Sequence, residues 1–278
     1  MLTPRRFRTT ALIPAGLVVG LVVGADAMTP LDASGDAPGH RRHAPMILRE
    51  LHDRHATSGN WSGYAVTGGT GSITGVKGSW VVPEIQGPCQ PSDRNFASFW
   101  VGIDGFSSAT VEQLGTDSDC VRGVPTYFAW IEIFPFRSFT IQTVSVSPGD
   151  VVSAEVSFAS GRFTLAMTNE TTAETFRTSV RFPFARRRSA EWIAEAPSGS
   201  AGTLPLANFG TVGFGADNTG VNGTNAATVN GVSGPIGSFG NAVQEITMET
   251  SRGVDKAVPS ALSGDGSSFS VHWVSAGP

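Results

Sequence analysis

The sequence predicts an all-β protein, a β-sandwich of two antiparallel sheets, and three observations lead there. Short runs of strict apolar and polar alternation recur at 97–104, 127–134 and 152–158, the period of a half-buried strand. Turn chemistry separates them: the 278 residues include Gly 34 and Pro 17, and Ser147-Pro148-Gly149-Asp150 puts Pro and Gly where a type II turn needs them. A hydrophobic content of 40% is enough for one sizeable core, and all-β chains of this length commonly form a single unit. The net charge of −4 supplies no basic field, so no nucleic-acid partner is expected.

The chain opens with an address. Arg5, Arg6 and Arg8 precede an apolar run over 11–23, and Ala25-Asp26-Ala27 offers small residues at the two positions a signal peptidase reads. Residues 1–27 are therefore expected to be a signal peptide, since the run is short for a membrane span and is interrupted by Pro14, Gly16 and Gly20. The protein is read as secreted and extracellular, with no membrane contact once that signal is removed.

Residues 28–57 read as a propeptide or leader, rich in Pro, Gly, Asp and Ala at first, with one short amphipathic helix expected over 46–52. It holds His40, His43, His52 and His55 but no Cys, in no standard metal-binding spacing. Four His and four Arg there face four acidic residues, whereas residues 58–278 carry 12 Lys and Arg against 18 Asp and Glu. Electrostatics thus favours docking of the leader on the domain that follows. The leader is a candidate inhibitor, as in a zymogen, with release expected to accompany acid exposure.

The domain over 58–278 begins with Asn60-Trp61-Ser62-Gly63-Tyr64-Ala65-Val66, followed by a strand over 76–82 that ends at Pro83. In 97–104, Ala97, Phe99, Val101 and Ile103 make a core face, and Ser98, Trp100, Gly102 and Asp104 an opposite one with an indole, a gap and a carboxylate. Gln113, Gly115 and Asp117 share a face of the next strand. Ala129, Ile131 and Ile133 point inward from the strand after it, with Trp130, Glu132 and Phe134 opposite. Strands over 152–158 and 163–167 face each other across a turn. Arg186-Arg187-Arg188 reads as a solvated loop. It leads into 189–196, where Glu191, Ile193 and Glu195 share one face and Ala190, Trp192 and Ala194 the other. The Gly-rich stretch 204–240 reads as turns, with strands returning at 243–248 and 269–274.

Several chemistries are excluded by what is scarce. From Thr57 onward the only histidine is His272, and no G-x-S-x-G elbow is present, so neither a Ser-His-Asp site nor a His-based zinc site is expected. Cys89 and Cys120, the only cysteines, are expected to pair, closing the loop that contains 97–117 and contributing about 3–4 kcal/mol. Carboxylates, amides and hydroxyls remain for chemistry. No metal and no cofactor are expected.

In this order the segments Asn60-Trp61, Trp100-Val101-Gly102-Ile103-Asp104-Gly105, Gln113-Leu114-Gly115-Thr116-Asp117, Ala129-Trp130-Ile131-Glu132 and Ala190-Glu191-Trp192-Ile193-Ala194-Glu195 resemble the glutamic peptidases, or eqolisins, which are secreted acid endopeptidases. The resemblance implies a lectin-like, jelly-roll type sandwich of two curved antiparallel sheets with the cleft on the concave face, polypeptide substrates, and a catalytic pair at Gln113 and Glu195. It also implies cleft roles for Trp61, Trp100, Asp104, Asp117, Trp130, Glu132 and Phe134, the last standing where relatives often carry Tyr. In such a pair an ionised Glu195 is the base for water and then the acid for the leaving amine, while the Gln113 amide donates to the oxyanion. Carboxylate chemistry of this kind implies an acidic working range, and a monomer is expected.

Two other readings suit a lectin-like sandwich: a glycoside hydrolase, and a carbohydrate-binding module with Trp61, Trp100 and Trp130 stacked on sugar rings. A retaining glycosidase needs carboxyl groups about 5–5.5 Å apart. Glu191 and Glu195 on one strand are separated by roughly 13 Å, so a partner from another strand would be needed.

Overall fold

The computed structural model describes residues 28–30 and 41–277; the expected signal peptide lies outside the described residues. Among them, no helix is long and apolar enough to cross a membrane. Two antiparallel sheets pack face to face, as the alternation predicts. The first runs, in spatial order, through Phe139–Ile141, Val124–Phe134, Val111–Val121, Ser98–Ile103, Ser189–Glu195, Trp61–Thr67 and Val243–Glu249. The second runs through Glu174–Val180, Arg162–Asn169, Val151–Ala159 and Ile73–Val81. Thr211–Phe214, Phe269–Trp273 and Asp255–Pro259 connect it to Val243–Glu249 in the first.

The main core lies between the sheets. Val76 and Trp80 from one meet Phe99, Val101, Leu114 and Trp192 from the other. Both indoles find partners, Trp80 Nε1 donating to Thr116 Oγ1 at 2.9 Å and Trp192 Nε1 to the Lys77 carbonyl at 2.7 Å, which removes the cost of burying an N–H. Cys89 and Cys120 are bridged, with Cα atoms 5.6 Å apart, and the bridge closes the loop that leads into Ser98–Ile103.

The helix expected over 46–52 is not formed. Leu48–His52 is a strand paired with His55–Ser58, and Leu48 and Leu51 are exposed. A segment this short gains too little from helical hydrogen bonds to repay nucleation, whereas the hairpin has a template. His55–Ser58 lies parallel to Val243–Glu249 in the first sheet, so the expected leader boundary at Thr57 falls inside a strand. Met28–Pro30 adds antiparallel to Phe139–Ile141 at the opposite edge. Segments of the expected leader thus border the first sheet on both sides.

Candidate active site

The outer face of the first sheet carries a second cluster of buried side chains, among them Trp61, Trp100, Trp130, Ile193 and Ile246. Strand register arranges this face in rows. Glu191, Gly102, Gln113 and Glu132 lie abreast in one row; Ile193, Trp100, Gly115 and Trp130 in the next; Trp61, Glu195, Ser98, Asp117 and Phe128 in the third. The period-2 alternation of each strand puts these residues on one face, but only the pairing register sets them abreast.

Trp100 finds room because two of its neighbours, Gly102 and Gly115, have no side chains. A Cβ on Gly115 would lie 2.3 Å from the Phe99 carbonyl oxygen and 2.5 Å from Trp100 Cβ. The indole ring passes beside Gly102, where a Cβ would lie 3.0 Å from its Cζ3, and donates from Nε1 to Glu195 Oε2 at 2.8 Å. Trp61 packs edge-on against it, with centroids 4.9 Å apart. Gly115→Ala is expected to destabilise the fold by about 1–3 kcal/mol and to lower activity by releasing Glu195 from its indole partner. Thermal melts and peptidase assays of the soluble variant check this, and unchanged activity would refute the role given to Trp100.

Residues 41–47, within the expected leader, run across this face. The His43 imidazole stacks on Trp130 with ring centroids 3.4 Å apart and planes within 2°. Its Nδ1 lies 2.9 Å from Glu132 Oε2 and its Nε2 3.4 Å from Asp117 Oδ1. The His43 backbone N–H donates to Glu132 Oε2 at 2.8 Å, and the His43 carbonyl accepts from Gln113 Nε2 at 2.5 Å. Beside it the Ala44 carbonyl accepts from Trp61 Nε1 at 3.0 Å, and Asn60 binds the Ala44 and Pro45 carbonyls and the Ile47 N–H. Arg41 forms an ion pair with Asp119, lies 3.4 Å from Asp117, and covers the ring of Phe96.

Burial and charge set the protonation of this site. Burial alone would discharge His43, but Asp117 and Glu132 outweigh it and raise its pKa to about 10. Burial would likewise raise Asp117, yet the His43 and Arg41 charges hold it below the usual range. Burial wins at Asp119, which is raised to about 7 despite Arg41, and at Glu132. It also wins at Glu195, well above the ordinary value, with His43 pulling the other way. Glu195 Oε1 and Gln113 Oε1 are buried without a hydrogen-bond partner.

Of the residues singled out in the sequence, Gln113, Glu195, Trp61, Trp100, Asp117, Trp130 and Glu132 share this face. Phe134 packs at the edge of the same cluster with Phe128, Phe106 and Met46. Asp104 has a different set of partners: it accepts backbone N–H groups from Arg186, Arg187 and Arg188 at 2.7, 2.6 and 2.9 Å. The arginine run is thus a loop pinned by one carboxylate, with Arg187 also lying over Phe158 at 4.0 Å. Behind it Glu112 and Glu191 are fully buried and raised well above the usual carboxylate range, first by burial and then by the charge of Asp104.

Sequence reasoning missed His43, Arg41, Asn60 and Asp119 as site or near-site residues. One signal was available. Asp117 and Asp119 alternate onto a single face while Arg41-Arg42-His43 is the basic stretch of the leader, a complementary pair of patterns. Among the described residues, Cys89, Asp93 and Cys120 are grouped tightly enough for a metal. The disulfide removes the thiolates such a site would use.

The family model for the peptidase A4 family matches residues 59–255. Aspergillopepsin-2 of Aspergillus niger is 29% identical over 287 residues, covering 94% of this chain and 95% of that protein. The crystal structure of scytalido-glutamic peptidase with a transition state analog inhibitor superposes with a TM-score of 0.63 at 25% identity, covering 78% of this chain and 98% of that one. Aspergilloglutamic peptidase from Aspergillus niger gives 0.54 at 25% identity, over 65% and 99% of the two chains. These relatives set aside the glycoside hydrolase and binding-module readings. With its sandwich fold and a match across the domain, the chain belongs to the peptidase A4 family of glutamic peptidases and is a hydrolase of peptide bonds.

Proposed function

We propose that the chain is the precursor of a secreted, monomeric acid endopeptidase in which Glu195 and Gln113 act on one water and the leader holds the cleft closed. The observation that carries this reading is the peptide carbonyl of His43 on the Gln113 amide, 2.5 Å from Nε2, on the same face as a Glu195 held by Trp100. A peptide carbonyl is thereby bound where an oxyanion would need a donor.

In turnover, ionised Glu195 takes a proton from water as its oxygen attacks the carbonyl carbon. The Gln113 N–H stabilises the developing charge, and protonated Glu195 then gives its proton to the leaving amine as the C–N bond breaks. Trp100 keeps the carboxyl in place. Trp61 and Asn60, which hold the Ala44 and Pro45 carbonyls of the leader, hold the substrate main chain in the same way. With the leader seated Glu195 is fully buried. Clearing the cleft admits water, lowers the desolvation that raises its pKa, and lets it ionise in acid.

The sign of the pH effect on docking follows from the same shifts. His43, raised from 6.5 to about 10, contributes fully below about pH 6.5, and this contribution fades as pH rises through 10. Asp117, depressed by its cationic neighbours, contributes above its ordinary pKa and stops only as pH falls through its lowered one. Mild acid therefore keeps the leader bound, because His43 is already charged at neutrality. Release on acid exposure then needs cleavage of the leader.

Purified full-length chain shifted from pH 7 to pH 3–4, with chain length followed by mass spectrometry, tests the reading. Digestion of denatured protein is expected to rise in step with loss of the leader, and a panel of polysaccharides to stay intact. Full activity from chain that remains full length would show that the leader is no inhibitor.

A further inference from the structure

Charge is segregated along the domain. The segments 134–149, 156–169 and 175–190 contain no Asp or Glu, yet they hold seven of the 12 Lys and Arg found over 58–278. Folding gathers parts of all three segments at one end of the sandwich. The Phe136 ring lies 6.1 Å from that of Phe182, which lies 5.7 Å from that of Phe184, and Arg162 Nε donates to Ser179 Oγ at 3.0 Å. The carboxylates that act on this end, Asp104 and Glu112, are both buried. Asp104 is engaged by three backbone N–H groups, and burial raises Glu112 well above the usual range.

The loop over 181–188 presents this charge in a fixed form. Asp104 pins its main chain, Arg187 turns inward to donate to the Gly71 and Ile73 carbonyls at 3.1 and 3.3 Å, and Arg181, Arg186 and Arg188 stay exposed, as does Arg137. Among the described residues none of these four exposed arginines has a carboxylate within ion-pairing distance. Large rings are exposed among them: Phe184, in the turn after Pro183, by 60%, and Phe136 by 45%, with the buried Phe182 joining the two. Beside Phe182 a cavity of about 360 Å³, also walled by Phe158, bears the side chains of Arg181 and Arg187.

We propose that this end of the sandwich is a peripheral docking surface for an anionic phospholipid membrane, with a phosphodiester headgroup in the cavity between Arg181 and Arg187 and with Phe184 and Phe136 dipping into the acyl boundary. Guanidinium groups suit the partner, since their paired N–H donors match phosphate oxygens. Each arginine close to an anionic leaflet strengthens attachment by about fivefold, so the four exposed ones together supply a factor of several hundred. The rings decide between partners. A soluble polyanion would satisfy the arginines and leave Phe184 and Phe136 in water, whereas a bilayer takes up both charge and apolar surface. The loop is already ordered by Asp104, so docking forfeits little conformational entropy. This attachment needs no spanning helix, and it replaces the expectation of no membrane contact after signal removal. It is independent of the roles given to Glu195 and Gln113, and its consequence is a peptidase concentrated where anionic lipid is displayed.

The test is co-sedimentation of the purified full chain with vesicles of phosphatidylcholine alone or with about 30% phosphatidylglycerol, at pH 6 and at about 0.05 and 0.5 M salt. Partitioning onto the anionic vesicles is expected to exceed that onto the neutral ones by at least about tenfold at low salt and to fall steeply at high salt. Arg181→Gln, Arg186→Gln and Arg188→Gln combined are expected to cost about a hundredfold, and Phe184→Ser at least about fivefold. Arg252→Gln is the control for net charge. It lies beyond Glu249, at the far end of a strand whose first residue, Val243, is in register with Val66 and so with Ala190 beside the loop. This variant is expected to bind like wild type, and melting curves with peptidase assays on soluble denatured protein report that every variant is folded. Should the triple variant not fold, the lipid and salt dependence of the wild-type chain and the loss in Phe184→Ser decide the matter. Equal partitioning onto neutral and anionic vesicles, or none, overturns the proposal. So does a loss in Arg252→Gln as large as in the loop variants. Binding to dextran sulfate as tight as to the vesicles, with vesicle binding indifferent to Phe184→Ser, assigns the surface to a soluble polyanion and likewise overturns it.

Discussion

Glu195→Gln is expected to reduce kcat/KM on denatured protein at acid pH by about 10²–10⁴-fold, the usual contribution of a positioned base, with its melting temperature at that pH unchanged. The substitution keeps the shape of a fully buried side chain and an oxygen for the Trp100 Nε1 donor, so only proton transfer is lost. Gln113→Ala is expected to cost about 10²–10³-fold, as for one oxyanion donor. Because both groups act on one water in one step, the double variant should lose far less than the product of the two. The measurement is steady-state kinetics on activated enzyme, with melting curves in parallel. Near-normal proteolysis by a folded Glu195→Gln would refute the assignment, whatever the family membership says.

A steep fall in stability above mildly acidic pH is the second large effect. Glu112, Glu191 and Glu195 are fully buried, and burial raises each well above the ordinary carboxylate value. For such groups the folded state holds the proton more tightly than the unfolded chain does. Their stabilising share is complete below the unfolded pKa of about 4.5 and is lost as pH climbs towards the folded value. Each contributes a slope of up to about 1.4 kcal/mol per pH unit across that window. Asp117 opposes them only at the acid end, where its lowered pKa makes stability fall as pH drops through it. Glu112→Gln and Glu191→Gln should therefore raise the melting temperature at pH 7, flatten the profile between pH 5 and 7, and leave proteolysis at pH 4 intact. A wild-type profile that is flat from pH 4 to 7, or variants less stable at pH 7, would show that these carboxyls are not held neutral.

Some of this was legible without coordinates because it is local. Alternation assigns a face, so the polar sides of 97–104, 111–117, 127–134 and 189–196 could be read residue by residue, and each reappears on the leader-covered face. The pairing of Cys89 with Cys120 follows from there being no other partner in the chain. The order of the linked motifs points to the family for the same reason: it is a property of the string.

What alternation could not supply is register, because it says which face a side chain takes and nothing of which neighbour lies abreast. Asp104 reads like Trp100 by parity, yet it ends its strand at a φ of 75° and turns its carboxylate to the loop over 186–188. Leu48–His52 reads as a helix by its own spacing and is a strand because His55–Ser58 offers it paired hydrogen bonds. The proposed catalytic pair sits two rows apart, and His43, whose carbonyl accepts from Gln113 and whose charge acts on Glu195, lies roughly 70 and 150 residues away from them in the chain. Composition marked that expected leader as rich in His and Arg and the domain as net acidic. Only the tertiary structure decided that one imidazole lies between Asp117 and Glu132 with its carbonyl on Gln113, since that depends on long-range contacts whose geometry no local pattern encodes.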